Sequence, residues 1–341
     1  MKKSYLIITA AALLAAASCQ KSDTAPAAPE TRSNPVDIVL SAAIEGADTK
    51  VSYTEDANVL KSAWEKDDQV SLVAYDSDGK VLSNDIFTAT EAGASAKFSG
   101  TYTDPAGAVA VSIFYPALTE GDGSDATPWQ SKTKMAGTST LTGVLFDMVK
   151  GKTNIKIRNN SQLQRGNADL SNVKEAAVMQ GVVTGTDIAA LKAGEAKVTL
   201  KNICHVIKIS AKVPSSAGTV KAVTLLAQQA DGSNASFCFA GWTRVDSFGT
   251  YYGNPWHYIT LGLGSDFDGG TYGTGISPDS SGYITAYLVG YTGEAQTLPA
   301  GATLEVRFSG SSSFSKSSTP LASDLTLEPG KMYRINVDMT K

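Results

Sequence analysis

Histidine, cysteine and charged residues are all scarce in this sequence. Its 341 residues include two histidines and three cysteines, too few for a histidine-rich metal site, a zinc ribbon or a disulfide framework. Charged residues make up 18% of the chain, and the formal net charge of −4 excludes a basic surface for nucleic acid. The hydrophobic content of 42% is nevertheless that of a folded protein and excludes disorder of the whole chain.

The sequence also lacks an apolar run long enough to span a bilayer. Its longest run, residues 5–17, follows Lys2 and Lys3 and precedes Ser18 and Cys19. A spanning helix needs about 20 apolar residues, so this run predicts a signal peptide at residues 1–18. The small residues before Cys19 resemble the bacterial lipoprotein box, in which that cysteine is acylated. The alternative is an ordinary secretory signal with a chance cysteine.

Residues 19–35 predict an acylated cysteine followed by a flexible tether. Three prolines and no apolar residue larger than alanine occur between residues 20 and 35, so this segment has nothing to pack. Acyl chains on Cys19 would anchor the mature protein durably to a membrane.

Helical periodicity is nearly absent from the rest of the chain. We expect it only at residues 170–179 and 187–192, the second ending at Gly194. Short apolar or alternating runs between Gly, Asp, Asn and Pro clusters predict strands instead. The clearest are 36–44, 70–75, 108–115, 154–158, 204–213, 220–227, 283–291, 303–308 and 332–339. The pattern therefore indicates an all-β protein.

The length of the mature chain favours two β-sandwich domains over one large sandwich, which is the alternative. Strand signals are weakest at about 160–196, and the run NICHVIKISAKV at 202–213 is typical of a new opening strand. We therefore predict an N-terminal β-sandwich over residues 36–200 and a C-terminal one over residues 201–341.

Five motifs follow one another along the mature chain. They are VDIVLSAAIEGADTKVSY at 36–53, SAWEKDDQVSLVAYDSDGK at 62–80, AVSIFYPA at 110–117, the strand at 204–213 and LEPGKMYRINVDM at 327–339. With the lipoprotein box, they resemble the fimbrillin family of lipoprotein-derived fimbrium subunits and related surface lipoproteins. The resemblance spans nearly the whole mature chain. It departs from the family's W-x-x-G-D turn at Asp67, where the family has glycine.

This resemblance implies tandem transthyretin-like β-sandwich domains in a structural or accessory subunit of cell-surface fimbriae, with other fimbrial subunits as partners. In polymerising members a trypsin-like protease removes the first strand, and a strand of a neighbouring subunit fills the vacated groove by β-augmentation. The strand-exchange residues here would be Val36, Ile38, Leu40, Ala42 and Ile44.

Two basic residues flank this first strand and are the candidate processing sites. Arg32 lies before the strand and Lys50 after it, so only a cut at Lys50 would release the strand. The alternative is that Lys50 is a solvated turn residue. The last strand signal ends two residues before Lys341, so either residues 325–339 swap between subunits or this member caps or decorates a fimbria.

Aromatic residues are concentrated between residues 237 and 291. Four of them are interspersed with Gly, Asn and Pro, which is typical of a loop: Trp242, Tyr251, Tyr252 and Trp256. Exposed rings in a loop suit stacking on a host or microbial glycan or on a protein receptor. A monomeric glycan-binding surface lipoprotein using an aromatic loop at 242–258 is therefore the alternative function, and simple packing of the loop is the plainer interpretation.

No residue pattern indicates catalysis, a metal or a cofactor, and we expect no enzyme. The D-x-D-G sequences at 76–79 and 266–269 begin like calcium loops, but Asp-Gly is also typical of hairpin turns. Cys204 and His205 are adjacent in a predicted strand, so we expect one in the core and the other on the surface. Cys204 and Cys238 would either pair in an oxidising compartment or remain as buried thiols.

Overall fold

The structure is a computed structural model. It describes residues 35–44, 54–56, 59–61, 63–131, 144–159, 162–184, 187–246, 251–268 and 272–341. The predicted signal peptide and the candidate residues Cys19, Arg32 and Lys50 lie outside the described residues.

Strands dominate the described residues, which confirms the all-β prediction. The strands of the N-terminal part are β1 (Val36–Ile44), β2 (Thr54–Asp56), β3 (Val59–Lys61), β4 (Gln69–Tyr75), β5 (Val81–Ala89), β6 (Ser95–Tyr102), β7 (Ala110–Tyr115), β8 (Leu118–Glu120), β9 (Trp129–Ser131), β10 (Val144–Met148), β11 (Asn154–Asn159), β12 (Gln162–Gln164), β13 (Met179–Thr184) and β14 (Lys197–Asn202). Those of the C-terminal part are β15 (Cys204–Lys212), β16 (Val220–Gln228), β17 (Cys238–Asp246), β18 (Tyr251–Trp256), β19 (Tyr258–Leu263), β20 (Tyr283–Tyr291), β21 (Gln296–Leu298), β22 (Thr303–Gly310), β23 (Phe314–Ser317), β24 (Leu325–Leu327) and β25 (Met332–Asp338).

Two six-residue α-helices interrupt the strands, α1 (Ser171–Ala176) and α2 (Asp187–Lys192). Both fall where helical periodicity was predicted, and α2 has the predicted bounds. Gly194 follows α2 with a φ of 72°, a conformation that favours glycine at a helix end. Within the part of the chain that is described, no helix has the length and apolar character needed to cross a membrane.

Seven strands of the N-terminal part form a closed barrel in the order β1-β14-β13-β7-β4-β5-β6. Neighbours run antiparallel, except that β1 runs parallel to β14. Side chains alternate between the two faces of each strand, so every second residue enters the barrel. The resulting barrel core includes Ile38, Leu40, Trp64, Leu72, Phe87, Phe98, Ile113 and Leu200.

Most strands of the C-terminal part lie in two sheets, β20-β15-β25 and β12-β19-β16-β22-β23, and β21 pairs with β24 in a small third sheet. β12 joins the five-stranded sheet from the N-terminal part. A separate group of buried side chains, the C-terminal core, includes Ile207, Ile209, Phe237, Leu261, Leu288 and Phe308. Apart from Phe237, which precedes β17, these residues come from strands of the three-stranded and the five-stranded sheet, so these two sheets share one apolar interior, as in a sandwich.

A third group of buried side chains connects the two parts. This middle core includes Val73, Tyr75, Phe114, Phe146, Ile155, Cys204, Val206 and Tyr287. It joins the barrel strands β4 and β7 to β15 and β20 and to the six-stranded sheet β18-β17-β11-β10-β9-β8. That sheet also crosses the predicted domain boundary, because β11 pairs with β17.

β15 is covered on both faces, so the prediction that only one of Cys204 and His205 is buried was wrong. Cys204 is 4% exposed and lies in the middle core, whereas His205 is fully buried on the opposite face. A strand has a solvent-exposed face only where one side of its sheet meets solvent.

Cys204 and Cys238 are both free thiols, and burial raises the pKa of Cys204 to about 11 and of Cys238 to about 12.

Candidate strand-exchange site

β1 closes the barrel by filling the seam between β6 and β14. It pairs with β6 over eight residues, from Val36 opposite Tyr102 to Ala43 opposite Ser95. Its pairing with β14 covers only residues 41–44, opposite residues 197–200. Among the described residues, the first five positions of β1 thus have a strand partner on one side only.

The side chains of β1 alternate between core and solvent. Ile38, Leu40 and Ala42 are buried in the barrel core at 4%, 0% and 0% exposure. Val39, between two of them, is 43% exposed, and Val36 is 36% exposed at the start of the strand. Three of the five predicted strand-exchange residues therefore fill the barrel. Val36 lies at its mouth, and the backbone of Ile44 pairs with that of Leu200.

Helix α2 and the residues after it lie beside the half of β1 that has one strand partner. Ile188 and Leu191 of α2 are buried in the barrel core. Gly194 is close to the backbone of Val39, where a Cβ at this glycine would lie 3.5 Å from the Val39 oxygen. The Lys192 ammonium forms a 2.6 Å ion pair with Asp104. This side of β1 is therefore flanked by a short helix and a turn, which hold a strand less firmly than a second ladder of hydrogen bonds.

The side chain of Trp64 binds β1 from inside the barrel. Its indole nitrogen Nε1 donates a hydrogen bond of 3.0 Å to the carbonyl oxygen of Ala42, and the ring is fully buried. The ring packs edge-on against Phe98 of β6 and Tyr115 of β7, with centroids 4.9 Å and 5.6 Å away. Trp64 lies in one of the motifs that resemble the fimbrillin family, but this contact was not predictable, because no local pattern tells which carbonyl an indole meets.

The turn after Trp64 accounts for the departure from the family motif. Asp67 has a φ of 71°, in the left-handed region that favours glycine. The Asp68 carboxylate accepts a 2.7 Å hydrogen bond from the backbone nitrogen of Glu65. Burial raises the pKa of Asp68 above its usual value. Glu65 pairs with Lys174 of α1 at 2.6 Å, so these acids belong to a structural turn.

The other candidate site, the aromatic segment 242–258, is not the predicted loop, because most of its described residues lie in two antiparallel paired strands. Trp242 lies in β17, and Tyr251, Tyr252 and Trp256 lie in β18. β18 is the edge strand of its sheet, where the proline and glycine that suggested a loop are tolerated. Trp256 is half-buried against the C-terminal core, and its ring is 5.2 Å from His257 and 5.1 Å from Tyr258.

The first D-x-D-G sequence forms a hydrogen-bonded turn, as the turn interpretation predicted. Asp76 Oδ1 accepts hydrogen bonds from the backbone nitrogens of Asp78 and Lys80 at 2.9 Å and 2.8 Å. Asp78 forms a 2.9 Å ion pair with Lys80. Across the described ranges, no three His, Cys, Asp or Glu residues are grouped so that they could hold a metal ion.

A set of side-chain amides that sequence analysis missed binds the outer edge of β20. Gln162 accepts a hydrogen bond from the Val289 nitrogen at 2.9 Å and donates one to the Val289 oxygen at 2.6 Å. Gln164 accepts from the Tyr287 nitrogen at 2.9 Å and donates to the Thr285 oxygen at 2.7 Å. Asn167 continues this amide ladder: it accepts from the Thr285 nitrogen and donates to the Tyr283 oxygen.

The fold and the site together define an all-β protein whose first strand closes a barrel. No protein-family model and no curated protein sequence matches the chain. Its structure is similar to that of a proposed cell adhesion protein from Bacteroides uniformis, with 10% identity, a TM-score of 0.42 and coverage of 90% of this chain and 93% of the other. For a proposed cell adhesion protein from Bacteroides ovatus, the sequence identity is 14%, the TM-score is 0.40, and the alignment covers 89% of this chain and 92% of the other. For the fimbrial anchor protein of Porphyromonas gingivalis, the sequence identity is 13%, the TM-score is 0.31, and the alignment covers 80% of this chain and 78% of the other.

Proposed function

We propose that this chain is a structural or accessory subunit of cell-surface fimbriae that assembles by proteolysis-triggered β-strand exchange and contributes to adhesion. β1 carries the proposal, because this one strand closes the barrel. Its removal would leave unpaired backbone groups on β6 and β14 beside an apolar groove. Such a groove recruits a strand from another chain through main-chain hydrogen bonds and pockets for alternate side chains. The partners are other fimbrial subunits.

The order of motifs that resembles the fimbrillin family supports the same proposal. Under it, residues 1–18 are a signal peptide, lipid on Cys19 holds the protein in the outer membrane, and residues 19–35 are the tether. Residues 36–200 and 201–341 are tandem transthyretin-like domains. Two separate groups of buried side chains support this division, because the barrel core lies within the first range and the C-terminal core within the second.

Limited proteolysis of the full-length lipoprotein in mild detergent tests this function. We expect trypsin to cut after Lys50 and to release β1, and non-boiled gel electrophoresis to show a ladder of detergent-resistant oligomers. Lys50→Gln should stay monomeric after the same treatment. Arg32→Gln is the matched control, and it should still polymerise because its Lys50 is intact.

Mass spectrometry decides between the possible results of that experiment. A product that has lost residues up to Lys50 and forms oligomers supports a polymerising subunit. A product that has lost β1 and remains a soluble monomer contradicts strand exchange.

A second candidate function, glycan binding by a surface lipoprotein, is supported by the rings of Trp256, His257 and Tyr258. These rings lie 5.1–5.3 Å apart, and Tyr258 is 38% exposed at the start of β19. Aromatic faces with a polar edge suit stacking on sugars or on a protein receptor. We expect Tyr258→Ala to abolish binding to a glycan array without changing the melting temperature. Tyr272→Ala, another exposed tyrosine, is the control.

A further inference from the structure

We propose that Trp64 selects the strand that occupies the barrel seam, by requiring a backbone carbonyl and a small side chain at the position of Ala42. This inference rests on the proposed strand exchange and names the kind of strand that the seam accepts. The accepted strand has large apolar side chains at the positions of Ile38 and Leu40 and a small one two residues later.

Trp64 is held in place independently of β1. Its backbone nitrogen donates to the Gly93 oxygen at 3.0 Å, and the Gly93 nitrogen donates to the Trp64 oxygen at 3.0 Å. The contacts of its ring with Phe98 and Tyr115 also involve only strands that remain when β1 leaves. The indole N–H therefore stays inside the groove after β1 has gone. A buried donor without a partner is costly, so a strand that supplies its acceptor is favoured.

The space beside the indole is limited to a small side chain. Ala42 pairs with Ala96 of β6 on one side and with Val198 of β14 on the other. Ala42, Ala96 and Trp64 are at most 1% exposed. Two alanines opposite each other leave space inside the barrel. The 3.0 Å hydrogen bond to Ala42 places the large indole of Trp64 beside them. A packed interior does not tolerate extra methylene groups without strain.

These two requirements together fix the register of the strand. A slip by one residue turns the whole apolar face toward solvent. A slip by two residues keeps the apolar face inside but brings Leu40 or Ile44 to the level of Trp64. A one-residue slip would also bring an alanine, Ala43, to this level, but it would place Val39 and Ser41 inside instead of Ile38 and Leu40. The register seen for β1 combines the carbonyl and the alanine at Trp64 with the large apolar side chains inside the barrel.

Hydrogen exchange of the full-length chain, measured by mass spectrometry, tests the selection in the intact protein. Ala42→Leu should raise the exchange rate of the amides of residues 36–44 at least tenfold. Ala43→Leu is the matched control on the opposite face of β1 and should change the rate less than threefold. In the background of Trp64→Phe, which lacks the N–H and has a smaller ring, the effect of Ala42→Leu should fall below threefold. A purely structural role of Ala42 would give the same effect in both backgrounds.

Peptide binding to the wild-type chain after trypsin treatment tests the selection in trans and does not depend on folding of a variant. The peptide VDIVLSAAI should bind at least tenfold more tightly than VDIVLSLAI, as measured by fluorescence anisotropy. Equal binding of both peptides would overturn the selection by Trp64 and leave strand exchange intact. Each peptide is present in excess during the trypsin treatment, because the groove is filled once oligomers form. Binding of neither peptide by chain that has lost β1 and formed no oligomers would contradict strand exchange, and the hydrogen-exchange result alone would then decide the role of Trp64.

Discussion

His205 is a buried base whose neutral form the fold requires. It is fully buried opposite Gly290, where a Cβ would lie 2.6 Å from the ring nitrogen Nε2. Neither ring nitrogen has a hydrogen-bond partner among the described residues, and the nearby Tyr333 ring lies edge-on with its centroid 6.3 Å away. Burial lowers the pKa of His205 from 6.5 to about 4.

This lowered pKa makes stability depend on pH. Between pH 6.5 and 4 the unfolded chain binds a proton at His205 that the folded chain does not, so the free energy of unfolding falls as the pH falls. The lowered pKa corresponds to a loss of about 3 kcal/mol. Urea denaturation of His205→Leu should show a weaker loss over this range than the wild type. His257→Gln, which removes the other histidine, is the matched control. If the free energy of unfolding fell equally with pH in His205→Leu and in the wild type, His205 would not be the origin of the pH effect.

Asp67 shows how a side chain can occupy a position at which the resembled family has glycine. Its φ of 71° is strained for most residues, but aspartate tolerates this region better than they do. We expect Asp67→Gly to leave the free energy of unfolding unchanged or higher. Asp67→Val should lower it by about 1–2 kcal/mol, because β-branched residues are the least tolerant there. If the valine variant proved as stable as the wild type in urea denaturation, the turn would have to adopt another conformation.

At the scale of elements, the amide ladder of Gln162, Gln164 and Asn167 is the main contact between β12 and the edge of β20. Gln164→Leu keeps a similar side-chain volume but leaves the Tyr287 nitrogen without the partner it has now, whereas the Thr285 oxygen keeps its hydrogen bond from the Ala168 nitrogen. We expect a loss of about 1–3 kcal/mol in the free energy of unfolding, measured with urea, because an unsatisfied buried backbone N–H is costly. Gln69→Leu, on an exposed residue of β4, is the control and should change it by less than about 0.5 kcal/mol. Equal effects of the two variants would show that the ladder contributes nothing beyond burial.

The elements themselves were largely predictable, because local sequence determines them. Alternation gave the bounds of β1 and β20, and Gly194 marked the end of α2. The strands of the aromatic segment were missed because Gly253, Asn254 and Pro255 are common in loops as well as in edge strands. The hydrogen bonds from the Gln164 amide to the backbone of β20 were not predictable. In the sequence, a glutamine that takes the place of a neighbouring strand cannot be distinguished from any other polar residue of a strand.

At the scale of the whole molecule, the middle core couples the two halves. Its residues extend from Val73 to Tyr291, so neither half can unfold without exposing apolar surface of the other. We therefore expect one calorimetric transition whose van't Hoff enthalpy equals the calorimetric enthalpy. Two resolved transitions would show instead that the halves are independent and that the middle core contributes little.

The arrangement of the elements was only partly predictable. The barrel core and the C-terminal core each lie within one of the two predicted ranges, but β11 pairs with β17 and β12 with β19 across the predicted boundary. The closure of the barrel was not foreseen, because the partner of β1 on one side is β14, at the far end of the N-terminal half. The burial of both faces of β15 was missed for the same reason: the sheets that cover it come from distant parts of the chain.

The pairing of Ser41 with Lys197 also affects the order in which the barrel folds. β1 is synthesised early but acquires its second neighbour only after β14 has been made, so closure of the barrel is a late, non-local step in folding. Until then, any suitable strand from another molecule competes for the same seam. The covalent connection gives β1 a high effective concentration in this competition. Cutting that connection removes the advantage, so under strand exchange the protease determines when the seam passes from the chain's own strand to a neighbour's.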